Sequence, residues 1–125
     1  MNKPLMKLGE ALDRLGESLD ISDVDSIVRD AAIKRFEVCF ELAWKAVQKA
    51  ARSEGLDCAS PRSCFQHAWR LGWVEEAPTI TMIEDRNLTV HTYDERLAIE
   101  VHARIRAHYE CLRALNAELI ERSQD

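Results

Sequence analysis

The apolar positions of this chain recur at helical spacing almost from end to end. Leu5, Leu8, Leu12, Leu15 and Leu19 follow one another at intervals of three and four, the stripe of an amphipathic helix. Residues 21–25 break that rhythm, and Ser22 with Asp25 three positions on makes a capping-box pattern that opens a second helix. This helix is predicted over residues 23–54, with Gly55 as its C-terminal stop. Around it Asp30, Lys34, Glu37, Glu41, Gln48 and Arg52 form one narrow polar stripe. Ile27, Ile33, Phe36, Val38, Phe40, Leu42, Trp44 and Val47 spread over well more than half the circumference. A helix that is apolar on so much of its surface is buried on two sides. One side belongs to the chain's own core; the other calls for a partner, and a symmetric homodimer is the simplest. Arg35 interrupts the apolar sector beside Val28 and Leu42, so it is either paired inside the bundle or turned toward a site.

A short third helix is announced by Ser60 as cap and Pro61 at its first position, and Gly72 ends it. Pro78 opens a fourth helix carrying Ile80, Ile83, Glu84, Asp85 and Arg86, and the β-branched pair Thr89-Val90 weakens it before His91. Thr92 with Glu95 is another capping-box pattern, so the last helix is predicted to start near Tyr93. Its stripe is Leu97, Val101, Ile105, His108, Leu112, Leu115 and Leu119, which makes His108 a core histidine and leaves His67 and His102 for the surface. Trp44 falls in the apolar sector as a packing residue, and the Glu41–Lys45 spacing predicts an i,i+4 ion pair. No internal repeat or low-complexity tract interrupts the series. The fold expected is all-α: a single domain over residues 1–125, a five-helix antiparallel up-and-down bundle resembling a four-helix bundle, and homodimeric.

Composition narrows the function classes. Four Gly and three Pro in 125 residues are too few for the turns of a β-sandwich or barrel. A net charge of −5 excludes a general nucleic-acid binder and confines any RNA contact to a local patch. Cys39, Cys58, Cys64 and Cys111 contain no C-x-x-C pair, the first ten residues lack the apolar block of a signal peptide, and no apolar run is long enough to span a membrane. The expectation is free thiols in a cytoplasmic protein. Cys58, Cys64 and His67 match no common zinc spacing, so neither a metal nor a cofactor is expected.

The chemistry-bearing segment is Arg86-Asn87-Leu88-Thr89-Val90-His91-Thr92-Tyr93. On one continuous helix Arg86 and His91 would point about 140° apart; a break at Thr89-Val90 is what would let them converge. The N-terminus of the following helix favours an anion such as phosphate, and Arg86 would add a charge-assisted fork. His91 would be the nearby group able to exchange a proton at neutral pH. Together these residues describe a metal-free phosphodiester-cleaving site, with His91 as base, Arg86 stabilising charge on phosphorus and Asn87 orienting either group. The plainer alternative is that Arg86 pairs with Asp85, Glu84 or a more distant carboxylate and His91 ends a helix.

The stretch Arg86-x4-His91-x-Tyr93 resembles the R-x4-H-x-Y motif of HepT-type proteins in the HEPN superfamily. Arg35-Phe36-Glu37 with Phe40-Glu41-Leu42-Ala43-Trp44-Lys45, and Glu84-Asp85-Arg86 running on to Asp94-Glu95, resemble the family too, and the likeness spans nearly the whole chain. The resemblance implies a helical homodimer with its site at the dimer cleft, and an MntA-type minimal nucleotidyltransferase partner encoded beside it. It implies an RNA-cleaving toxin with Arg86 and His91 as catalytic residues and Asn87 in support, neutralised when the partner attaches AMP to Tyr93. Arg35, Glu41, Lys45 and Asp85 become candidate substrate- or partner-binding positions. A close branch of the same family implies another role: a non-catalytic subunit that binds a nucleotide or substrate for the transferase.

Overall fold

A computed structural model describes residues 2–124. Its elements are α1 (Lys3–Leu19), α2 (Ser26–Ser53), α3 (Pro61–Arg70), α4 (Glu76–Leu88), a 3₁₀ turn (Thr89–His91) and α5 (Glu95–Arg122), with no strand among the described residues. The all-α bundle read from the periodicity is therefore what forms. The helix starts differ from the expected ones because the capping side chains do. Asp25, not Ser22, caps α2 by accepting the Val28 N–H at 2.8 Å, which moves the start to Ser26. Asp94, not Thr92, caps α5, while the Thr92 hydroxyl turns back to the Thr89 carbonyl. Pro78 lies inside the first turn of α4, where its missing N–H costs no helical bond.

Two glycines end helices as expected. Gly55 and Gly72 have φ of 81° and 79°, and the N–H groups of Leu56 and Trp73 reach back to the carbonyls of Ala51 and Ala68. Both are left-handed caps of the kind glycine adopts without steric penalty. The second of them swings Trp73 under the bundle, where it is buried.

Helices α1 and α2 pack antiparallel, and α5 lies against both. Leu8, Leu12 and Leu15 of α1 meet Phe36 and Val47 of α2 and Ile105, Leu112 and Leu115 of α5 in one core, which Phe65 of α3 and Met82 of α4 complete. Arg113 of α5 ties the α1–α5 seam by donating to Asp13 and to the Tyr109 hydroxyl. The outward side of α2 stays uncovered within one chain: Ile27 is 76% and Val38 42% exposed. No helix is long and apolar enough to cross a membrane.

The expectation of four free thiols is corrected at two positions. Cys58 and Cys64 form a disulfide, with Cα atoms 5.1 Å apart across the Ser60–Ser63 capping box, while Cys39 and Cys111 remain free. Burial pushes the Cys39 thiol up to about 12 and raises that of Cys111, so neither is a ready nucleophile.

Helix α4 is fastened to α5 by a polar triad of buried Asp85 and His108 with the half-exposed Arg104. The Asp85 carboxylate, 3% exposed, accepts two hydrogen bonds from Arg104 at 2.8 Å and one from His108 Nε2 at 2.6 Å. The His108 ring stacks on Phe36 with centroids 5.3 Å apart, so the expected core histidine is also a donor. Burial holds the His108 pKa below the usual range and outweighs the raising influence of Asp85. Burial alone would raise the Asp85 carboxyl, but the hydrogen bonds and charges of Arg104 and His108 bring it below its ordinary value.

Two outcomes are expected. Reduction of the Cys58–Cys64 bridge removes a short cross-link and costs about 2 kcal/mol of stability, read as a lower Tm in reductant; an unchanged Tm would mean the bridge carries no stability. Acidification destabilises in two steps, because both shifts leave the unfolded chain binding more protons. The first comes as pH falls through about 6.5, from His108, and the second from about 3.9 downward, from Asp85. Urea unfolding at pH 7.5 and 5.5 checks the first step, and His108→Gln is expected to flatten it.

Candidate functional site

The last turn of α4 turns Arg86 toward α2. One of its terminal nitrogens lies 3.2 Å from Glu37 Oε2, and the other 3.8 Å from Glu41 Oε1. The first also donates to Thr89 Oγ1 at 2.8 Å. The Thr89 hydroxyl lies 2.9 Å from Glu37 and 2.7 Å from the Arg86 carbonyl, so its single proton serves two acceptors. Glu37, Glu41 and Trp44 share one face of α2, and Glu41 also accepts the Trp44 indole N–H at 2.9 Å. Lys45 does not pair with Glu41 as the spacing predicted; its ammonium lies 5.9 Å over the Trp44 ring, because Glu41 is drawn to Arg86 and Trp44.

The cluster is half-buried, a setting in which a guanidinium is held by carboxylates rather than by water. The 3₁₀ turn begins at Thr89, which is already bonded to both Arg86 and Glu37. One donor remains unused. The Arg86 Nε–H is buried and has no acceptor among the described residues.

The other expected site residues are placed as follows. Asn87 is exposed at the end of α4, one residue beyond Arg86. His91 and Tyr93 leave on the 3₁₀ turn and the link to α5, with ring centroids 6.2 Å apart, and Tyr93 is 86% exposed. No hydrogen bond joins His91 to Arg86 within the described chain, and His91 is exposed on the 3₁₀ turn that follows the break at Thr89. The anion site expected at the start of α5 is filled by the chain's own Asp94, whose carboxylate accepts the N–H groups of Arg96 and Leu97. Asp85 has its carboxylate fully engaged by Arg104 and His108. Arg35 lies on another side of α2, bonded to the Arg14 carbonyl at 2.6 Å and 3.9 Å from Glu17.

Sequence reasoning missed three participants: Glu37, Thr89 and Arg104. One signal pointed to the first. Glu37 and Glu41 are like charges at i,i+4 on one helix face, a repulsive pair unless a cation lies between them. No group of three or more His, Cys, Asp or Glu among the described residues is arranged to hold a metal ion, and the disulfide removes Cys58 and Cys64 as ligands.

Comparison with known proteins places the chain. Residues 3–121 match the family model described as nucleotidyltransferase substrate binding protein like. A solved protein from Thermus thermophilus is 36% identical, with a TM-score of 0.84, over 90% of this chain and 98% of that one. A Haemophilus influenzae protein, whose fold is described as that of a substrate binding domain of a nucleotidyltransferase, is 24% identical with a TM-score of 0.81, over 92% of this chain and 98% of that one. No curated protein matches the chain. By the span of the family match, this chain is a member of the nucleotidyltransferase substrate-binding-protein-like family.

Proposed function

We propose that this chain is the substrate-binding subunit of a two-component nucleotidyltransferase, with the Arg86–Glu37–Glu41 cluster as its recognition site. The observation that carries this is the state of Arg86: its guanidinium is fixed by two carboxylates and a hydroxyl and is partly open to solvent. A donor prepared in this way binds an acceptor oxygen without first losing side-chain entropy. The transfer chemistry then belongs to the partner, a minimal nucleotidyltransferase of MntA type, and the ligand is a nucleotide or the partner's acceptor substrate. A second copy of the chain seated on the uncovered side of α2, over Ile27 and Val38, would complete the cleft as a homodimer. The expected setting is the cytoplasm.

A second reading keeps the partner but makes Tyr93 its substrate. The observation in its favour is the exposure of Tyr93, whose hydroxyl stands clear of the bundle as an acceptor for AMP must. In that reading the chain is a HepT-type toxin, a metal-independent endoribonuclease using Arg86, His91 and Asn87 and silenced by adenylylation. It has less behind it, since the family that the chain matches is described by substrate binding rather than by RNA cleavage.

The two readings part in one experiment with purified chain, its partner transferase and RNA. The leading reading expects nucleotide binding by calorimetry that weakens about tenfold or more in Arg86→Ala, and RNA left intact by wild type and His91→Ala alike. RNA cleavage by wild type that disappears in His91→Ala would replace it with the nuclease reading.

A further inference from the structure

A cavity of about 590 Å³ opens where α1 begins and α2 and α5 end. This lies within the size range of small-molecule sites. Leu5 and Leu119 give it an apolar floor, and Lys49, Arg52 and Arg122 stand around it with Glu54 as the one acidic lining residue among the described residues. α5 separates this place from the Thr89–His91 turn by its full 28 residues, about 42 Å of helix.

Two features single the cavity out. Trp73, which lines it, is 4% exposed, yet its indole N–H has no acceptor among the described residues. A buried indole N–H ordinarily finds one. The second feature is the cation set. Arg52 and Arg122 occupy the last turns of α2 and α5, where positive charge balances the carbonyl ends. They have partial partners: Arg52 lies 4.0 Å from Asp57, and Arg122 donates to Glu118 while resting 5.4 Å over the Trp73 ring. Lys49, exposed a turn earlier, has no carboxylate in ion-pair reach among the described residues, and helix-end balance leaves the Trp73 N–H unexplained.

We infer that this cavity is a second binding site, for a small molecule bearing a phosphate or carboxylate on an apolar body. The anionic group meets Lys49, Arg52 and Arg122, an acceptor oxygen takes the Trp73 Nε1–H, and the apolar body rests on Leu5 and Leu119. The site is separate from the Arg86 cluster and stands whatever that cluster binds.

The test is NMR of the full chain, labelled with ¹⁵N and titrated with phenyl phosphate, with benzoate, and with inorganic phosphate lacking the apolar body. Trp73→Phe assigns the indole signal. The aryl anions are expected to shift the Trp73 indole proton saturably and leave Trp44, beside Arg86, unmoved. Their relative affinities distinguish phosphate from carboxylate as the preferred group, and inorganic phosphate is expected to bind more weakly. A double variant, Lys49→Gln with Arg122→Gln, is expected to bind about tenfold or more weakly, its spectrum otherwise showing a folded chain. A Trp73 signal that does not move, a shift that persists undiminished in the double variant, or equal unsaturable shifts of all the indoles would overturn the inference.

Discussion

Two consecutive charged residues fasten α4 to two different helices, and the site depends on that arrangement. Asp85 is taken up by Arg104 and His108 of α5, and Arg86 by Glu37 and Glu41 of α2. Neither charge can leave its partners without standing unpaired, Asp85 buried and Arg86 half-buried, which is costly. The helix that ends in the motif is thereby fixed in both position and rotation. Thr89 extends the constraint by one residue, since its hydroxyl bonds both Arg86 and Glu37 where the α-helix gives way to the 3₁₀ turn. Beyond it the chain is released to the surface, carrying His91 and Tyr93.

The helices were legible in the sequence because apolar spacing and helix ends are local. The leucine stripe of α1, the Gly55 and Gly72 stops and the weak point at Thr89-Val90 all stand where the pattern put them. What failed locally was the choice between neighbouring caps: Asp25 over Ser22, and Asp94 over Thr92. An aspartate brings a full charge to the helix N-terminus and outcompetes a hydroxyl a few residues away. The site was legible only as a segment. Which carboxylate would hold Arg86 depends on a contact across nearly fifty residues of chain, from α4 to α2, and no spacing rule reaches that far. The Cys58–Cys64 pairing escaped for a related reason, since their separation fits a bridge only once the Ser60 cap bends the chain back.

The chemistry follows from the same constraint. An arginine locked between two carboxylates is poor as a mobile group for charge on phosphorus and good as a fixed reference point for a ligand. The capped start of α5 points the same way, because Asp94 has already taken the amides that a phosphate would use. These features agree with membership of the nucleotidyltransferase substrate-binding-protein-like family and with the proposal that bond-making belongs to a partner. On that proposal, the exposed Ile27 and Val38 and the protruding Tyr93 are the surfaces that a partner or a second copy of the chain would meet.

The proposed recognition site depends on Glu37 holding Arg86 in place. A double-mutant cycle on unfolding free energy, with Glu37→Gln and Arg86→Gln singly and together, tests it most directly. A coupling of roughly 1 kcal/mol or more between the two positions is expected. Changes that simply add, leaving a coupling near zero, would mean that Arg86 is not held by Glu37 and that the site is not preorganised.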